Sequence, residues 1–327
     1  MKTVLVTGGT GLIGSHLIEQ LLANERHPSE IRALVRPNSD AEFLRRKGVQ
    51  LCYGDLLDID SLKAAMKDVS VVFHCAALVA KREQFSARAL PEANWRVNYR
   101  GTQHMLEAAG QAGVDRFIYT STLGIHGVPG EYAESKRAAE QEVENYARTG
   151  RLKTVILRPP VTVGARDHLF TPHLIRLARR KIVPLINNGA VSIPFADARD
   201  VAAALVLASH HPQAVGRTYD LVGFFAPLEE VIRFFSARLG CHTRIVNVPY
   251  GAAYLAARLG EVVMAIARRS YRPIRSGHLV ALARLLVTGL RIDTTALQHE
   301  LGFEPRYGMQ ETFEHAIGWQ LAQEGKA

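Results

Sequence analysis

A glycine-rich segment near the N-terminus constrains the fold of this chain more than any other feature. The apolar residues 4–6 precede the segment TGGTGLIG at residues 7–14, which leads directly into a stretch with helical periodicity. In such a strand–turn–helix unit, spaced glycines permit a tight turn, a close approach of the backbone to a pyrophosphate, and close packing of helix on strand. The helix N-terminus adds amide donors and a positive dipole. The alternative is a glycine-rich turn that binds nothing. The residues predicted to bind a dinucleotide here are Gly8, Gly11, Leu12, Ile13 and Gly14.

The first half of the chain alternates short apolar runs with longer stretches of helical periodicity. Strands are predicted at residues 3–7, 31–35, 50–52, 69–74, 116–120 and 154–157, and helices at 12–23, 59–66, 92–112 and 131–149. Strands that are apolar throughout are typical of a parallel sheet covered by helices on both faces. The pattern therefore predicts an α/β protein with a Rossmann-type, doubly wound parallel sheet.

The second half has a different character, which begins after Arg158-Pro159-Pro160. Helices are predicted at 171–180, 198–209, 228–239, 252–268, 278–287, 294–301 and 310–323, with strands only at 192–195 and 218–221. We expect a dinucleotide-binding domain over residues 1–165 and a smaller, helix-rich substrate-binding region over 166–327. The boundary is soft, because a late strand and helix can return to the main sheet.

Composition excludes several classes of protein. The three cysteines are far apart and lack the spacing of metal ligands, so neither a disulfide scaffold nor a metal site is expected. Charged residues such as Arg258 and Arg284 interrupt the longest apolar stretches, which argues against a membrane-spanning helix. The first residues lack the apolar core of an export signal. These observations predict a cytoplasmic protein.

The net charge of +9 is concentrated in two segments, residues 166–181 and 258–291. Residues 252–290 combine apolar helical faces with arginines, which favours a substrate-domain lid whose charges are solvated. A second interpretation is peripheral contact with an anionic membrane surface. A basic net charge without a recognised nucleic-acid module is weak evidence, so we expect no nucleic-acid partner.

The end of the second strand indicates which dinucleotide is used. An acidic residue there would bind a ribose hydroxyl, whereas an arginine accommodates a 2′-phosphate. This chain has Arg36 at that position, which favours NADP over NAD, although Arg36 can also be read as a solvated surface residue. After the third strand, Asp55 could accept a hydrogen bond from the adenine amino group, or belong to a plain turn.

A tyrosine and a lysine form the candidate catalytic pair. Tyr132 and Lys136 are four positions apart in a predicted helix, which places them one turn apart on the same face. A nearby ammonium group, together with an oxidised nicotinamide ring, would lower the phenol pKa from its usual value of about 10. Ser121 and Thr122 end the fifth strand with hydroxyls that could hold a substrate oxygen, or simply cap the strand end.

Together these motifs resemble the extended or atypical short-chain dehydrogenase/reductase superfamily of the NAD-dependent epimerase/dehydratase type, over nearly the whole chain. The chain looks closest to the 3β-hydroxysteroid dehydrogenase-like branch. Further segments that carry the resemblance are FHCAA at 73–77, VNYRGT at 97–102, LRPP at 157–160, FADARDVA at 195–202 and ELGFEP at 300–305.

The resemblance implies a role for individual residues. Tyr132 would be the acid/base, Lys136 would hold the nicotinamide ribose and lower the tyrosine pKa, and Thr122, or else Ser121, would orient the substrate oxygen. Asn98 would brace the site, and two helices could pair in a homodimer. The remaining implied cofactor contacts are Asp55 and Leu56 with adenine, Ala76 and Ala77 with the ribose side, and Pro159 with the nicotinamide amide.

Two departures from the family pattern bear on function. Thr122 and Tyr132 are only ten positions apart, so the usual substrate-enclosing loop between them is missing. Arg158 is followed by Pro159, Pro160 and Val161, without the asparagine that binds the diphosphate of a nucleotide sugar.

We therefore expect an NADP(H)-dependent oxidoreductase that interconverts a secondary alcohol and a ketone on an apolar, sterol- or terpenoid-like substrate. The alternatives are an epimerase or dehydratase with a recycled cofactor, and a non-catalytic dinucleotide-binding structural or sensor protein.

Overall fold

The computed structural model describes residues 3–24, 26–79, 89–267, 278–290 and 292–325. The strands are β1 (Thr3–Thr7), β2 (Ile31–Val35), β3 (Gln50–Tyr53), β4 (Val69–His74), β5 (Arg116–Thr120), β6 (Thr154–Arg158), β7 (Val161–Val163), β8 (Ile182–Ile186), β9 (Ser192–Asp197), β10 (Thr218–Asp220), β11 (Phe224–Pro227) and β12 (Arg244–Val248). The helices are α1 (Leu12–Ala23), α2 (Glu42–Arg46), α3 (Ile59–Ala65), α4 (Ala89–Asn94), α5 (Gly101–Gln111), α6 (Glu131–Arg148), α7 (Phe170–Ala178), α8 (Ala198–His210), α9 (Leu228–Arg238), α10 (Tyr250–Ala267), α11 (His278–Thr288), α12 (Thr295–Leu301) and α13 (Met309–Glu324).

A seven-stranded sheet forms the centre of the molecule, in the order β10-β6-β5-β4-β1-β2-β3. All of its strand pairs are parallel. The strand order reverses between β1 and β4, and in such sheets ligands bind in the crevice outside the carboxyl ends of the strands at this point. The predicted Rossmann-type sheet is confirmed.

The two faces of the sheet are covered by helices from different parts of the chain. On one face α1 packs against α8, and their apolar side chains, such as Leu17 and Val201, share a core with β1 and β2. On the other face α3, α5 and α6 bury residues such as Leu62, Met105 and Val143. Because β10 and α8 both come from the second half, that half completes the main sheet. The boundary at residue 165 stays a prediction.

The second half also builds two small sheets that sequence patterns predicted only in part. β9 pairs with β7 and β11, while β8 pairs with β12. Of these five strands only β9 was expected. The others are short, and Pro184 lies inside β8, where a proline argues against a strand unless it lies at a sheet edge. Aromatic rings at Phe195, Phe235 and Phe313 form a separate core beneath β9.

α10 and α11 pack against each other in the segment for which membrane contact was considered. α10 exposes Leu255 and Leu259, with 59% and 57% of their surface accessible, beside the exposed Arg258. Arg268 and the further arginines predicted to be part of this basic region, Arg269, Arg272 and Arg275, lie outside the described residues. No helix in the described ranges is long and apolar enough to cross a membrane. Peripheral membrane contact through 252–290 stays a prediction.

Candidate active site

The glycine-rich segment forms a cradle that leaves no room for side chains. Gly8 has φ +72°, and a Cβ atom there would lie 2.8 Å from the backbone nitrogen of Ala76. A Cβ at Gly14 would lie 2.2 Å from the carbonyl oxygen of Gly8. α1 begins after Gly11, where no side chain caps it. The cradle and the uncapped helix N-terminus fit the pyrophosphate of a dinucleotide, since amide donors there are free to face an anion.

The remaining predicted cofactor residues lie around the same crevice. Arg36 is exposed directly after β2, and Ala76 and Ala77 follow β4 with at least part of their surface accessible. The Asp55 carboxylate accepts a hydrogen bond from the backbone N–H of Leu57 at 2.9 Å, while Leu56 is buried. The crevice thus has its predicted residues at the ends of β2, β3 and β4. Their contacts with a cofactor stay predictions.

Asn98 braces this crevice from an irregular helical turn. It lies in a π-helical segment, Trp95–Arg100, between α4 and α5, within the single helix predicted at 92–112. π-Helical turns often occur at functional sites. The Asn98 amide accepts from the N–H of Leu78 at 2.7 Å and donates to the carbonyl of Leu78 and to the hydroxyl of Ser135. The segment after β4 is therefore fixed to α6, the helix that carries Tyr132 and Lys136.

Tyr132 and Thr122 line one cavity of about 580 Å³, whose wall includes Gly11 and Leu12 of the glycine cradle. The Thr122 hydroxyl accepts a hydrogen bond from the N–H of Gly124 at 3.1 Å, and among the described residues it has no acceptor for its own hydrogen. The cavity thus joins two of the predicted catalytic residues to the predicted cofactor crevice.

Burial controls the protonation of the predicted catalytic pair. Desolvation raises the pKa of Tyr132 to about 12, because burial disfavours the phenolate. The lowering expected from Lys136 together with an oxidised nicotinamide ring stays a prediction. Lys136 is only 1% exposed; burial lowers its pKa to about 7, although Cys75 and Glu140 partly offset this. Its Nζ donates to the carbonyl of Thr120 at 2.7 Å and lies 4.1 Å from the centre of the Tyr119 ring.

Ser121 and Pro159 lie behind the cavity wall. Ser121 is 3% exposed, and its hydroxyl donates to the Glu140 carboxylate at 2.5 Å, which is a structural role that its sequence position did not reveal. Pro159 is buried and its carbonyl accepts from the N–H of Leu123, whereas the next residue, Pro160, lines the cavity. The structure therefore brings Thr122, but not Ser121, to the cavity beside Tyr132.

Much of the cavity wall comes from residues that the sequence analysis did not single out. They belong to the start of α7, to the β8–β9 connection, to β9, to the turn before α6, and to the end of α11 and the residues after it. Apolar members of this wall are Val128, Phe170, Val191, Ile193, Leu285, Leu286 and Leu290. The sequence analysis interpreted residues 252–290 as a substrate-domain lid, and the end of α11 does line the cavity, but the sequence did not indicate which of its residues would do so.

Comparison with known proteins decides the family. The sequence model of the NAD dependent epimerase/dehydratase family matches residues 4–221, which is well over half of the 327-residue chain. The chain belongs to this family.

Relatives of this epimerase/dehydratase-family protein span its whole length. It is 29% identical to a 4-hydroxy-2-methyl-3-oxo-4-farnesyl-3,4-dihydroquinoline-1-oxide ketoreductase of Stigmatella aurantiaca, covering 95% of this chain and 94% of that one. It is 28% identical to sterol demethylase protein B of Methylococcus capsulatus, over 97% and 98% of the two chains. The crystal structure of gox2253 superimposes with a TM-score of 0.82 at 27% identity, covering 100% of this chain and 99% of that chain.

These findings establish the general class of activity. The protein is an NAD(P)-dependent enzyme of the short-chain dehydrogenase/reductase type, and its cofactor is a nicotinamide dinucleotide. This confirms the predicted superfamily and the predicted oxidoreductase class.

Proposed function

We propose that this enzyme uses NADPH to reduce a ketone to a secondary alcohol on an apolar substrate, and catalyses the reverse oxidation. The observation that carries the proposal is the cavity, in which the phenol of Tyr132 and the hydroxyl of Thr122 face a wall of aliphatic side chains. Apolar pockets with a few placed polar groups are typical of small-molecule sites. The farnesyl and sterol groups in two relatives' names agree with an apolar substrate.

Tyr132 has the protonation state that a proton donor in the reduction requires at neutral pH. With a pKa of about 12, the phenol keeps its proton throughout the neutral range and can donate it to a carbonyl oxygen. The free hydroxyl hydrogen of Thr122 would hold that oxygen in place. Lys136, fixed at the end of β5 by Thr120, would hold the nicotinamide ribose. When bound, the cofactor supplies a hydride from its nicotinamide ring.

A substrate screen with a matched variant tests the proposed reaction. NADPH consumption is followed with purified protein and a panel of steroid, terpenoid and small hydrophilic ketones. We expect turnover of apolar ketones, and we expect Tyr132→Phe to reduce turnover by about 10² or more, since it removes the proton donor. Affinity for NADPH should stay within error of the wild type. Full turnover by the variant would refute the role of Tyr132.

The same assay separates the remaining interpretations. Conversion of substrate without net loss of NADPH would instead indicate an epimerase or dehydratase that recycles its cofactor. Tight NADPH binding with no conversion across the panel would contradict the proposed reaction and favour a binding protein.

Arg36 supports the choice of NADPH. It lies exposed at the end of β2, where a guanidinium can meet a 2′-phosphate. We expect Arg36→Ala to raise the Kd for NADPH about tenfold, the loss of one charge-assisted contact, with little change for NADH. Calorimetric titration of the wild type and Arg36→Ala with both dinucleotides measures these Kd values. Equal affinities in the wild type would show that Arg36 is a surface residue without this role.

A further inference from the structure

Arg166 is a charged residue in the cavity wall that the proposed reaction does not use. It follows β7 and lines the cavity together with Gly11 and Leu12, the residues at the start of α1. Most of the remaining wall is apolar, so a guanidinium there needs an explanation.

The side chain of Arg166 is held in a fixed position against α1. Its Nε donates to the Ser15 hydroxyl at 2.8 Å, and its Nη2 donates to the Glu19 carboxylate at 2.5 Å. The guanidinium also lies 4.4 Å from the centre of the Phe43 ring. A guanidinium carries five N–H donors. In the described part of the chain, Nη1 has no hydrogen-bond partner, so donors remain for a ligand.

The backbone at Arg166 adopts a conformation that arginine rarely takes. Its φ is +67°, in the left-handed region where a Cβ atom is unfavourable. Strained residues of this kind persist where the surrounding structure enforces them, and they occur often at ligand sites. Here the conformation directs the side chain from the β7 loop onto α1, next to the cradle.

We propose that Arg166 binds a phosphate group of the dinucleotide. This inference rests on the proposed NADPH-dependent function. Gly11 and Leu12 at the uncapped N-terminus of α1 line the same cavity as Arg166, which also contacts Ser15 in the first turn of that helix. Arginine suits phosphate recognition because its planar fork can donate two hydrogen bonds. The phosphate is either the pyrophosphate, shared by both dinucleotides, or the 2′-phosphate that only NADPH carries.

Calorimetric titrations of NADPH and NADH against the wild type and Arg166→Gly test the proposal. Glycine is chosen because it accepts a positive φ without strain, so the loop keeps its conformation. We expect the Kd for NADPH to rise about tenfold, the usual effect of losing a charge-assisted hydrogen bond. An equal rise for NADH identifies the pyrophosphate as the ligand, and a rise confined to NADPH identifies the 2′-phosphate.

Lys47→Ala is the matched control. Lys47 pairs with the other oxygen of the Glu19 carboxylate at 3.1 Å but does not line the cavity. This variant removes one positive charge and one ion pair to Glu19, and it should leave both affinities unchanged. The proposal is overturned if Arg166→Gly binds both dinucleotides like the wild type, or if Lys47→Ala weakens binding as strongly. A wild type that binds neither dinucleotide would instead refute the proposed function.

Discussion

Burial shifts the pKa values of Tyr132 and Lys136 in directions that their spacing in the sequence does not reveal. Placing the two residues four apart on α6 correctly predicts that they share a helix, but the ammonium donates to Thr120 and lies over Tyr119. Desolvation then disfavours the charged form of each residue, which raises the phenol pKa and lowers the ammonium pKa. Local spacing carries no information about how much water reaches either group.

Lys136 makes stability depend on pH. Its pKa is about 7 in the folded protein and 10.5 in an ordinary environment, so between these values the unfolded chain binds more protons. Stability should therefore rise with pH in this window, as the cost of burying the charge disappears. Relative to Lys136→Met, the wild type should gain about 1.5 kcal/mol in unfolding free energy between about pH 7 and about pH 8.5. Guanidinium denaturation at both pH values measures this difference. An equal change of unfolding free energy with pH in the wild type and in Lys136→Met would contradict this prediction.

At the scale of elements, one buried ionic network joins α6 to three strand ends. Glu140, one turn after Lys136, accepts from Ser121 beyond β5 and from the Arg158 Nε at 3.0 Å at the end of β6. Arg158 also pairs with Asp220 of β10 at 3.2 Å, and Asp220 pairs with His126 at 2.8 Å. Thr122 directly follows Ser121, and Pro160 lies two positions after Arg158; both line the cavity, so we expect this network to support the wall behind the reacting groups.

Removing the charge at Glu140 tests this function of the network. Glu140→Gln keeps the shape but removes one of the two carboxylates that pair with Arg158, which should cost about 2 kcal/mol of stability, the usual effect of losing a charge-assisted hydrogen bond. Turnover should fall as well, because Thr122 follows Ser121 directly, while the Kd for NADPH should change little. Glu144→Gln, one turn further along α6 at an exposed position, is the control and should alter neither quantity. Wild-type stability and turnover in Glu140→Gln would show that the network is dispensable.

Elements that repeat a strong local pattern could be predicted from sequence, and elements defined by tertiary pairing could not. The inner strands of the central sheet are largely buried and mostly apolar, which made them recognisable, whereas the edge strands β3 and β10 are only partly buried. β7 and β11 have only three and four residues, and β8 contains Pro184, so their identity depends on partners distant in sequence. The same limit applies to Arg166, whose significance comes from contacts with Ser15 and Glu19.

At the scale of the whole molecule, the cavity is enclosed by parts of the chain that are far apart in sequence. The connection from Thr122 to Tyr132 is short, and it contributes only Leu123, Gly124, Val128 and Pro129 to the wall between them. Leu285 and Leu286 of α11 and residues 191–194 supply much of the remainder. These distant segments therefore supply wall residues at a site where the loop of the family pattern is missing. The sequence predicted Tyr132 and Thr122 as site residues, but only the structure shows which side chains line the cavity with them. The predicted homodimer stays a prediction.

The return of β10 and α8 to the main sheet also constrains how this chain can fold during synthesis. β6 pairs with β10, and the apolar face of α1 is covered by α8. A nascent chain that ends near residue 165 already contains β1 to β6. It still lacks β10, the pairing partner of β6, and α8, which covers the apolar face of α1. Unpaired edges of this kind template aggregation. The first half gains these contacts only from α8 and β10, which end at residues 210 and 220, so we expect folding of the two halves to be coupled and not sequential.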